Sequence, residues 1–534
     1  MPHMQDFPLL LSTLYNRGVR LYPDQEIVSV EHDRSVARST YGETDIRIRK
    51  LATAFDRLGV DRGGVVGTFA WNNRRHHELY WATANTGRIC HTLNIRLHPE
   101  QIVYIVNHAE DSVIFVDPDL VGLVAPMVEQ MPAVATYVVM GAEADDRLPG
   151  SIAYEDLIAD ADEHGAWPLL DERSPMMFCY TSGTTGNPKG VAYTQRSTYL
   201  HTISNLANYP MFASDNVLPV VPMFHAAAWG YPYMAVTQGA KLTYPGPDLT
   251  PDGLVPLLER EQVTFSAGVP TVWLGIKQYL IDHPETELTS MRAFLCGGSA
   301  VPRSLIEWFW TEKNLRVVQG WGMTETNPIA SVAELKPGME DWDLQRQLDV
   351  LETAGIHAPG LEVKIVDEIG EELPHDGVAF GELLIRGPWI AAEYYKDDRS
   401  STSFEDGWLR TGDVCKITPE GYIKITDRAK DVIKSGGEWI SSLDLENTIM
   451  AHPAVAEAAV VGLKHPKWQE RPVAFVVAAP GADLTDEALT AFLTERVAKW
   501  WLPDLYVFLD ELPKTSTGKF DKKVLRKENA DLLV

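Results

Sequence analysis

The sequence predicts an α/β protein in which a large N-terminal domain of layered α/β subdomains plus a β subdomain is followed by a small C-terminal α/β domain. Three observations predict it. Helical and strand periodicities alternate from the start of the chain, two central strands both end in glycine-rich turns, and from residue 361 the pattern changes to short alternating strands before a last helix–strand mixture. At 534 residues the chain exceeds one minimal core, so a multi-layer body with a separate smaller domain is expected.

Residues 44–58 read as an amphipathic helix, 65–70 as a strand, 99–108 as a helix and 113–116 as a strand. The mixture continues to residue 167, with a surface loop over 141–150. Residues 176–179 then form a short buried strand that runs into YTSGTTGNPKG, residues 180–190, where hydroxyls and glycines precede a single lysine. Hydroxyls and accessible backbone amides suit an anion, and Lys189 adds a point charge. The Walker loop needs Gly-Lys-Ser/Thr followed by a helix, whereas here Pro188 precedes the lysine and 191–193 is extended. An ordinary P-loop kinase or GTPase is therefore disfavoured. A solvated turn is the plain alternative, but the density of donors beside a lysine favours a phosphate loop.

Residues 217–221 read as a strand that leads into PMFHAAAWG, 222–230, whose aromatics and alanines suggest a pocket wall; core packing is the alternative for His225 and Trp229. Residues 293–296 are a strand running into Gly297-Gly298-Ser299, after which Pro302 opens a helix. A second strand, 315–319, ends in GWGMTET, 320–326. Two such strands make a crevice at their carboxyl ends, the usual nucleotide position in an open α/β sheet. There Trp321 is suited to stacking on a base, Thr324 to bonding a phosphate and Glu325 to holding a magnesium ion, with a solvated polar loop as the alternative. Residues 334–353 read as an exposed, charged, inserted helix.

LEVKIVD, GELLIRG, 414–417 and 422–425 read as the strands of the β subdomain. Asp413, in RTGD, is expected at the start of its last hairpin, with Asp427-Arg428 after its end. A carboxylate there suits ribose hydroxyls, and a turn-stabilising aspartate is the alternative. Beyond KDVIKSGGEWIS, a helix over 443–450, strands over 455–463 and 473–478 and a helix over 486–499 suffice for a second domain. The domains are expected at 1–429 and 430–534. PKTSTGKFDKK, 513–523, presents Lys519 on a Gly-Ser-Thr loop, where a lysine is ordinarily solvated.

Lys+Arg 47 against Asp+Glu 74, a net charge of −27, argues against nucleic-acid or anionic-lipid partners. Cys90, Cys179, Cys296 and Cys415 lie far apart, suggesting neither disulfides nor zinc and fitting a reducing cytoplasm. No apolar run approaches the roughly 18 residues of a membrane span, and the N-terminus lacks a basic stretch ahead of an apolar core.

YTSGTTGNPKG, QGWGMTET, RTGD, DRAKDVIKSGGEWIS and PKTSTGK, in that order, resemble the motifs of the adenylate-forming acyl-CoA synthetase superfamily over nearly the whole chain, most closely those of bacterial medium- and long-chain fatty-acyl-CoA synthetases. The resemblance implies a reaction in two steps. A carboxylate attacks the α-phosphate of Mg·ATP to give an acyl-adenylate and pyrophosphate, and the thiol of coenzyme A then displaces AMP. It implies that Thr181, Ser182, Gly183, Thr184, Thr185 and Lys189 hold the β- and γ-phosphates, that Thr184 and Glu325 ligate magnesium, and that Thr324 touches the α-phosphate. Gly298, Ser299, Gln319, Gly320 and Trp321 would frame the adenine, and Asp413 and Arg428 the ribose. Lys519 would reach the α-phosphate and the attacking carboxylate. The small domain would be mobile, rotating about Lys430 to bring Lys434, Ser435, Gly436, Gly437 and Trp439 to the pantetheine arm. His225, Trp229, Gly322 and Met323 would lie on the acyl side, Trp229 as a gate.

Two positions depart from the pattern: Trp321 replaces the usual stacking tyrosine, and Gln195 stands where histidine is more frequent, a change expected to be neutral. Relatives are often homodimers through the large domain, for which this sequence carries no independent signature. The expected substrate is a medium- or long-chain fatty acid. Alternatives are a short, thioether-containing or aryl acid, transfer to a carrier-protein thiol, or a non-catalytic nucleotide-binding protein; Lys519, Glu325 and Lys189 together argue against the last.

Overall fold

The computed structural model describes residues 4–181, 187–428, 431–435, 438–514 and 520–533, with the backbone alone at 438 and 439. Two large sheets build the N-terminal part. In the seven-stranded sheet, Val65–Phe69, Ile89–Thr92, Asp111–Val116 and Thr136–Val139 run parallel, and burial on both faces explains their almost continuous apolar character. Helix Arg74–Thr86 touches strands of both sheets and is buried nearly all round. Asn73 caps it by accepting from the His76 amide, and left-handed Gly87 ends it.

β1 (Pro175–Thr181) lies parallel to Ile89–Thr92 and folds back into antiparallel β2 (Lys189–Thr194), with Thr181 opposite Lys189. Thr194 caps α1 (Gln195–Asn208) by accepting from the Ser197 amide. Gln195 is buried: its Oε1 accepts from the Leu11 amide at 3.0 Å and its Nε2 donates to the Ala84 carbonyl at 2.7 Å. The residue expected to be neutral thus ties helix Leu11–Leu21 to the central helix.

The nine-stranded sheet follows. α2 (Tyr231–Gln238) covers it, and β3 (Phe265–Gly268), β4 (Ala293–Gly297) and β5 (Arg316–Gly322) run parallel, with Gly297 opposite Gly320. β6 (Ile329–Val332) returns antiparallel to β5. Along β4, Phe294 and Cys296 pack into one core and Ala293 and Leu295 into another, so the strand presents two different faces. The second strand was expected to end at 319, but β5 runs through Gly322. A Cβ there would come within 1.9 Å of the Pro328 carbonyl oxygen, so glycine is what allows the close return.

The charged helix expected over 334–353 is a correction. Only Leu344–Leu351 is helical, and Leu348 and Leu351 are buried against the core of the sheet. Pro337-Gly338 breaks the preceding stretch into turns, and the apolar pair decides how the remainder docks. In the β subdomain, β7 (Trp408–Ile417) pairs antiparallel with β8 (Ile423–Arg428), Asp413 opposite Arg428. RTGD therefore lies inside a strand and not at its start, because Leu409 and Arg410 already pair with Phe380–Arg386 and the Thr411 hydroxyl donates to the Leu383 carbonyl.

The C-terminal part is a separate five-stranded sheet carrying α3 (Ser442–Met450), helix Asp486–Thr494 and α4 (Lys522–Glu528). The helix expected to reach 499 stops at Thr494, and Ala498 is already extended. At the junction, the Ser442 amide donates to Asp427 at 2.6 Å and Arg526 pairs with Asp431 at 2.5 Å. Lys522 Nζ lies 2.7 Å from both Glu446 and the Ser442 hydroxyl; burial alone would lower its pKa, but Glu446 and Asp427 hold it raised. No helix among the described residues is long and apolar enough to cross a membrane, and all four cysteines are buried free thiols.

Candidate active site

Three segments distant in sequence converge at the β1–β2 hairpin. The Tyr395 amide donates to the Gly190 carbonyl, the Ala391 amide to the Glu325 carbonyl and the Tyr193 hydroxyl to the Thr324 carbonyl, each at 2.8 Å. Thr324 and Glu325 are thereby buried and fixed between the hairpin and residues 391–395. Glu325 Oε1 accepts from the Tyr394 hydroxyl at 2.7 Å, and among the described residues its other oxygen has no donor. Lys189 Nζ sits 4.2 Å from the centroid of the same Tyr394 ring, so lysine, phenol and carboxylate stand in a row. Thr181 begins the hairpin, its hydroxyl accepting from the Lys189 amide at 3.4 Å.

Arg399 joins them. Its Nη1 donates to the Asn187 carbonyl at 3.1 Å, and its Nε is held by Asp397 at 2.9 Å. Partial burial and the Arg399 charge push the Lys189 pKa below the ordinary lysine value, with Glu325 and Asp397 opposing. Lys189 therefore loses its proton earlier than a free lysine as pH rises. If Lys189 holds the phosphates as the resemblance implies, kcat/KM for ATP is expected to fall on the alkaline side with an apparent pKa below about 10.4, and Lys189→Arg to remove that limb because arginine stays charged. A pH–rate profile of both proteins with the same limb would reject this assignment.

The ends of β4 and β5, where the nucleotide is expected, lie side by side. Trp321 Nε1 donates to Asp413 Oδ2 at 3.0 Å, and Arg428 Nε pairs with Asp413 Oδ1 at 2.8 Å. Asp413 is buried, so indole and guanidinium supply the partners that a buried carboxylate requires. Gln319 Oε1 is a buried acceptor with no donor among the described residues. Gly298, in a left-handed conformation, and exposed Ser299 close the other lip, and Gly320 lies between.

His225 and Trp229, expected on the acyl side, are both half-buried. Ala226, Ala227, Ala228 and Trp229 have φ of 45, 53, 47 and 54°, a left-handed run costing about 1–2 kcal/mol per residue. Strain of this kind persists only where the surrounding structure over-determines it. The Trp229 indole lies against the end of β4, where Cβ atoms built on Gly297 and Gly298 would stand 3.4 and 3.6 Å from the ring. Met323 and Gly322 form the adjoining rim of β5. Burial pushes His201 down to about 3, so the ring is neutral and its Nε2 accepts from the Ile329 amide at 3.2 Å. Between α1, α2 and the sheet, a small, mostly apolar pocket is lined by Met211, Tyr231, Met234, Phe265, Leu295 and Ile329, among others.

In the C-terminal part, Lys434 Nζ lies 3.9 Å from Glu368 of the β subdomain, and the buried Ser435 hydroxyl accepts from Arg471 at 3.2 Å. Ser182, Gly183, Thr184, Thr185, Lys430, Gly436, Gly437, Lys519 and the Trp439 side chain lie outside the described residues. The structure thus brings together Thr181, Lys189, Thr324 and Glu325 at one end of a crevice and Gly298, Gln319, Gly320, Trp321, Asp413 and Arg428 at the other. Tyr394, Asp397 and Arg399 were missed; their only sequence signal is a dense YYKDDR run in a loop of the β subdomain.

Comparison with known proteins follows this geometry. Residues 16–395 match the family model of AMP-binding enzymes, and residues 444–519 match that of the AMP-binding enzyme C-terminal domain. This chain belongs to the AMP-binding enzyme family. Among its AMP-binding relatives are a 3-methylmercaptopropionyl-CoA ligase of Ruegeria lacuscaerulensis, 44% identical over 99% of both chains, and a medium-chain-fatty-acid–CoA ligase of Ectopseudomonas oleovorans, 41% identical over 98% of this chain and 97% of that one. A long-chain-fatty-acid–CoA ligase of Thermus thermophilus is 43% identical over 98% and 96%. The AMP-binding fold also superposes on the anthranilate CoA ligase AuaEII with a TM-score of 0.88 at 24% identity, covering 99% of each chain. The large N-terminal part and the C-terminal domain correspond to those of adenylate-forming enzymes.

Proposed function

We propose that this enzyme ligates a medium- or long-chain aliphatic acid to coenzyme A. It is an AMP-forming acid–thiol ligase that uses ATP and CoA and passes through an acyl-adenylate, releasing pyrophosphate and then AMP. What supports the acid class is the mostly apolar pocket around Met211, Tyr231, Met234, Phe265, Leu295 and Ile329, together with two relatives named as medium- and long-chain-fatty-acid–CoA ligases.

A carboxylate oxygen of the substrate forms the new bond to the α-phosphorus as the bond to the pyrophosphate oxygen breaks, so no protein nucleophile is needed. The protein aligns two anions and offsets their charge. Lys189, Thr181 and residues 182–185 grip the departing pyrophosphate, with Arg399 as a neighbouring cation. Thr324 faces the α-phosphate, Trp321 offers a π-face to the base, and Asp413 with Arg428 receives the ribose. A magnesium ion fits the donor set, because hard cations of this size take one or two carboxylates, phosphate oxygens and waters in place of a full protein cage. Among the described residues no group of three or more candidate metal ligands occurs. When bound, magnesium supplies charge neutralisation at the phosphates. Glu325 would present its second oxygen to it while Tyr394 fixes the first, and Thr184 would add a hydroxyl.

Lys519 delivers its charge to the α-phosphate during adenylation. The small domain, 430–534, then turns about Lys430, and Lys434, Ser435, Gly436, Gly437 and Trp439 guide the pantetheine arm. A cytoplasmic setting and a homodimer through the large domain complete the reading. A second reading, a short thioether-containing acid, is favoured by the 44% identical relative and by the two methionines lining the pocket.

Thioester formation with graded aliphatic, thioether and aryl acids tests the proposal, with free CoA as the only thiol. Medium- or long-chain aliphatic acids are expected to lead, aryl acids to trail, and no carrier protein to be needed. Absence of thioester from every aliphatic acid would sink it.

A further inference from the structure

Residues 394–400 form one compact turn that reaches both Glu325 and the β1–β2 hairpin. The Tyr394 hydroxyl holds Glu325, and the Tyr394 amide donates to the Ser400 hydroxyl at 2.8 Å. That hydroxyl in turn donates to the Asp397 carbonyl at 2.9 Å, so the turn is closed on itself. Tyr395 packs on Phe178 of β1, ring centroids 4.4 Å apart, and its amide bonds the carbonyl of Gly190 in β2. The turn is therefore seated against the hairpin at several points.

Arg399 leaves this turn as a preset fork. Its backbone amide and its Nε donate to Asp397 Oδ1, each at 2.9 Å; Nε also lies 3.0 Å from Oδ2, to which Nη2 donates. Nη1 is bonded away from Asp397, donating to the Asn187 carbonyl at 3.1 Å. Asn187 precedes Pro188 and stands two positions ahead of Lys189. A residue before proline is biased to extended conformations, so a bond that fixes the Asn187 carbonyl helps fix the line along which the chain enters β2. The Arg399 fork holds the Asp397 carboxyl down at about 2, and Asp397 raises the Arg399 pKa, so both stay ionised and their charges largely offset each other. Such a pair adds little net attraction for an anion. It adds instead a stiff link between turn and loop, through an arginine whose rotamer freedom Asp397 has already removed.

We propose that Arg399 is a positioning residue that braces the carboxyl end of YTSGTTGNPKG against the turn holding Glu325, keeping the pyrophosphate grip in register with that carboxylate. Through Tyr394 the turn sets the carboxylate, and through Arg399 it sets the loop. A lysine at this position keeps the charge but not the fork. This inference rests on the reading of the loop as the holder of the β- and γ-phosphates.

The test measures KM for ATP and for pyrophosphate in acid-driven ATP–pyrophosphate exchange, and CoA-dependent AMP release from a supplied acyl-adenylate, in the full chain and its variants. Arg399→Gln is expected to raise both KM values about tenfold with the maximal exchange rate within about twofold, because the loosened grip is on phosphates that do not react. The acyl-adenylate lacks those phosphates, so the CoA step is expected to stay within about twofold of wild type. Asp397→Asn frees the fork and is expected to show the same split in smaller degree, and the Arg399→Gln, Asp397→Asn double variant to be no worse than Arg399→Gln alone. Arg399→Lys is expected to match Arg399→Gln. Wild-type KM values in Arg399→Lys would show charge alone at work and overturn the brace, as would equal losses in the exchange and the CoA step. Lys189→Ala separates the two ways of failing. If it raises both KM values while Arg399→Gln leaves them alone, the brace falls and the loop reading stands; if neither variant moves them, both fall. Melting temperatures establish that each variant is folded, and should Arg399→Gln fail to fold, Asp397→Asn decides.

Discussion

Lys519→Ala is expected to lower adenylation about 10³-fold, measured as ATP–pyrophosphate exchange driven by the acid, while leaving CoA-dependent AMP release from a supplied acyl-adenylate within a few-fold of wild type. The reacting carboxylate and the α-phosphate repel each other, and negative charge accumulates on the phosphoryl oxygens as the bond forms. A cation aimed at that charge in a water-poor cleft is worth several kcal/mol, and removing one such group typically costs 10²–10³-fold. In the second half-reaction the CoA thiol attacks the acyl carbonyl and AMP leaves, and under the proposed rotation Lys519 would by then have turned away with the small domain. Equal loss in both half-reactions would count against alternation of one cleft between two tasks. Lys519→Arg separates charge from geometry, because a planar guanidinium cannot occupy the place of a compact ammonium.

Glu325→Gln is expected to reduce kcat/KM for ATP about 10²-fold and to raise the magnesium concentration needed for half-maximal rate. The amide keeps the shape, and its oxygen still accepts from Tyr394, so the fold around the 2.7 Å hydrogen bond survives. What disappears is the negative charge that makes the other oxygen a good partner for a hard cation. Titrating rate against magnesium at fixed ATP checks this. An unchanged magnesium requirement with a lowered rate would point instead to the loss of the counter-charge that faces Lys189.

Residues whose neighbours in sequence are also their partners in space were legible. The glycine-rich ends of Ala293–Gly297 and Arg316–Gly322 could be read because a strand followed by glycines has a local pattern. Helix Arg74–Thr86 could not, because it buries polar residues that resemble a surface in sequence. His77 bonds the Tyr244 hydroxyl at 2.7 Å, and Glu78 accepts from Arg47 at 2.7 Å and from Tyr154 at 2.5 Å, all partners supplied by tertiary contact. Residues 334–353 erred the other way: their charges suggested a solvated helix, and only the spacing of Leu348 and Leu351 revealed a buried side.

The site divides along the same line. Lys189, Glu325 and Asp413 stand in motifs dense enough to be singled out, whereas Arg399 acquires its position by reaching a carbonyl 212 residues earlier. Tyr394 is one of two adjacent tyrosines, and nothing local distinguishes the one that bonds Glu325 from the one that packs on Phe178.

The four left-handed residues ahead of Gly230 bear on how such an enzyme diverges. A β-branched side chain is strongly disfavoured in that backbone region, so Ala226, Ala227 and Ala228 have few acceptable replacements. Met211, Met234, Leu295 and Ile329 tolerate volume-conserving exchanges at a cost below about 1.5 kcal/mol. If these residues line the acyl site, drift in acid preference among descendants of this chain would accumulate in them while the turn that carries Trp229 is inherited unchanged, and libraries built to alter selectivity gain most by leaving the alanines alone.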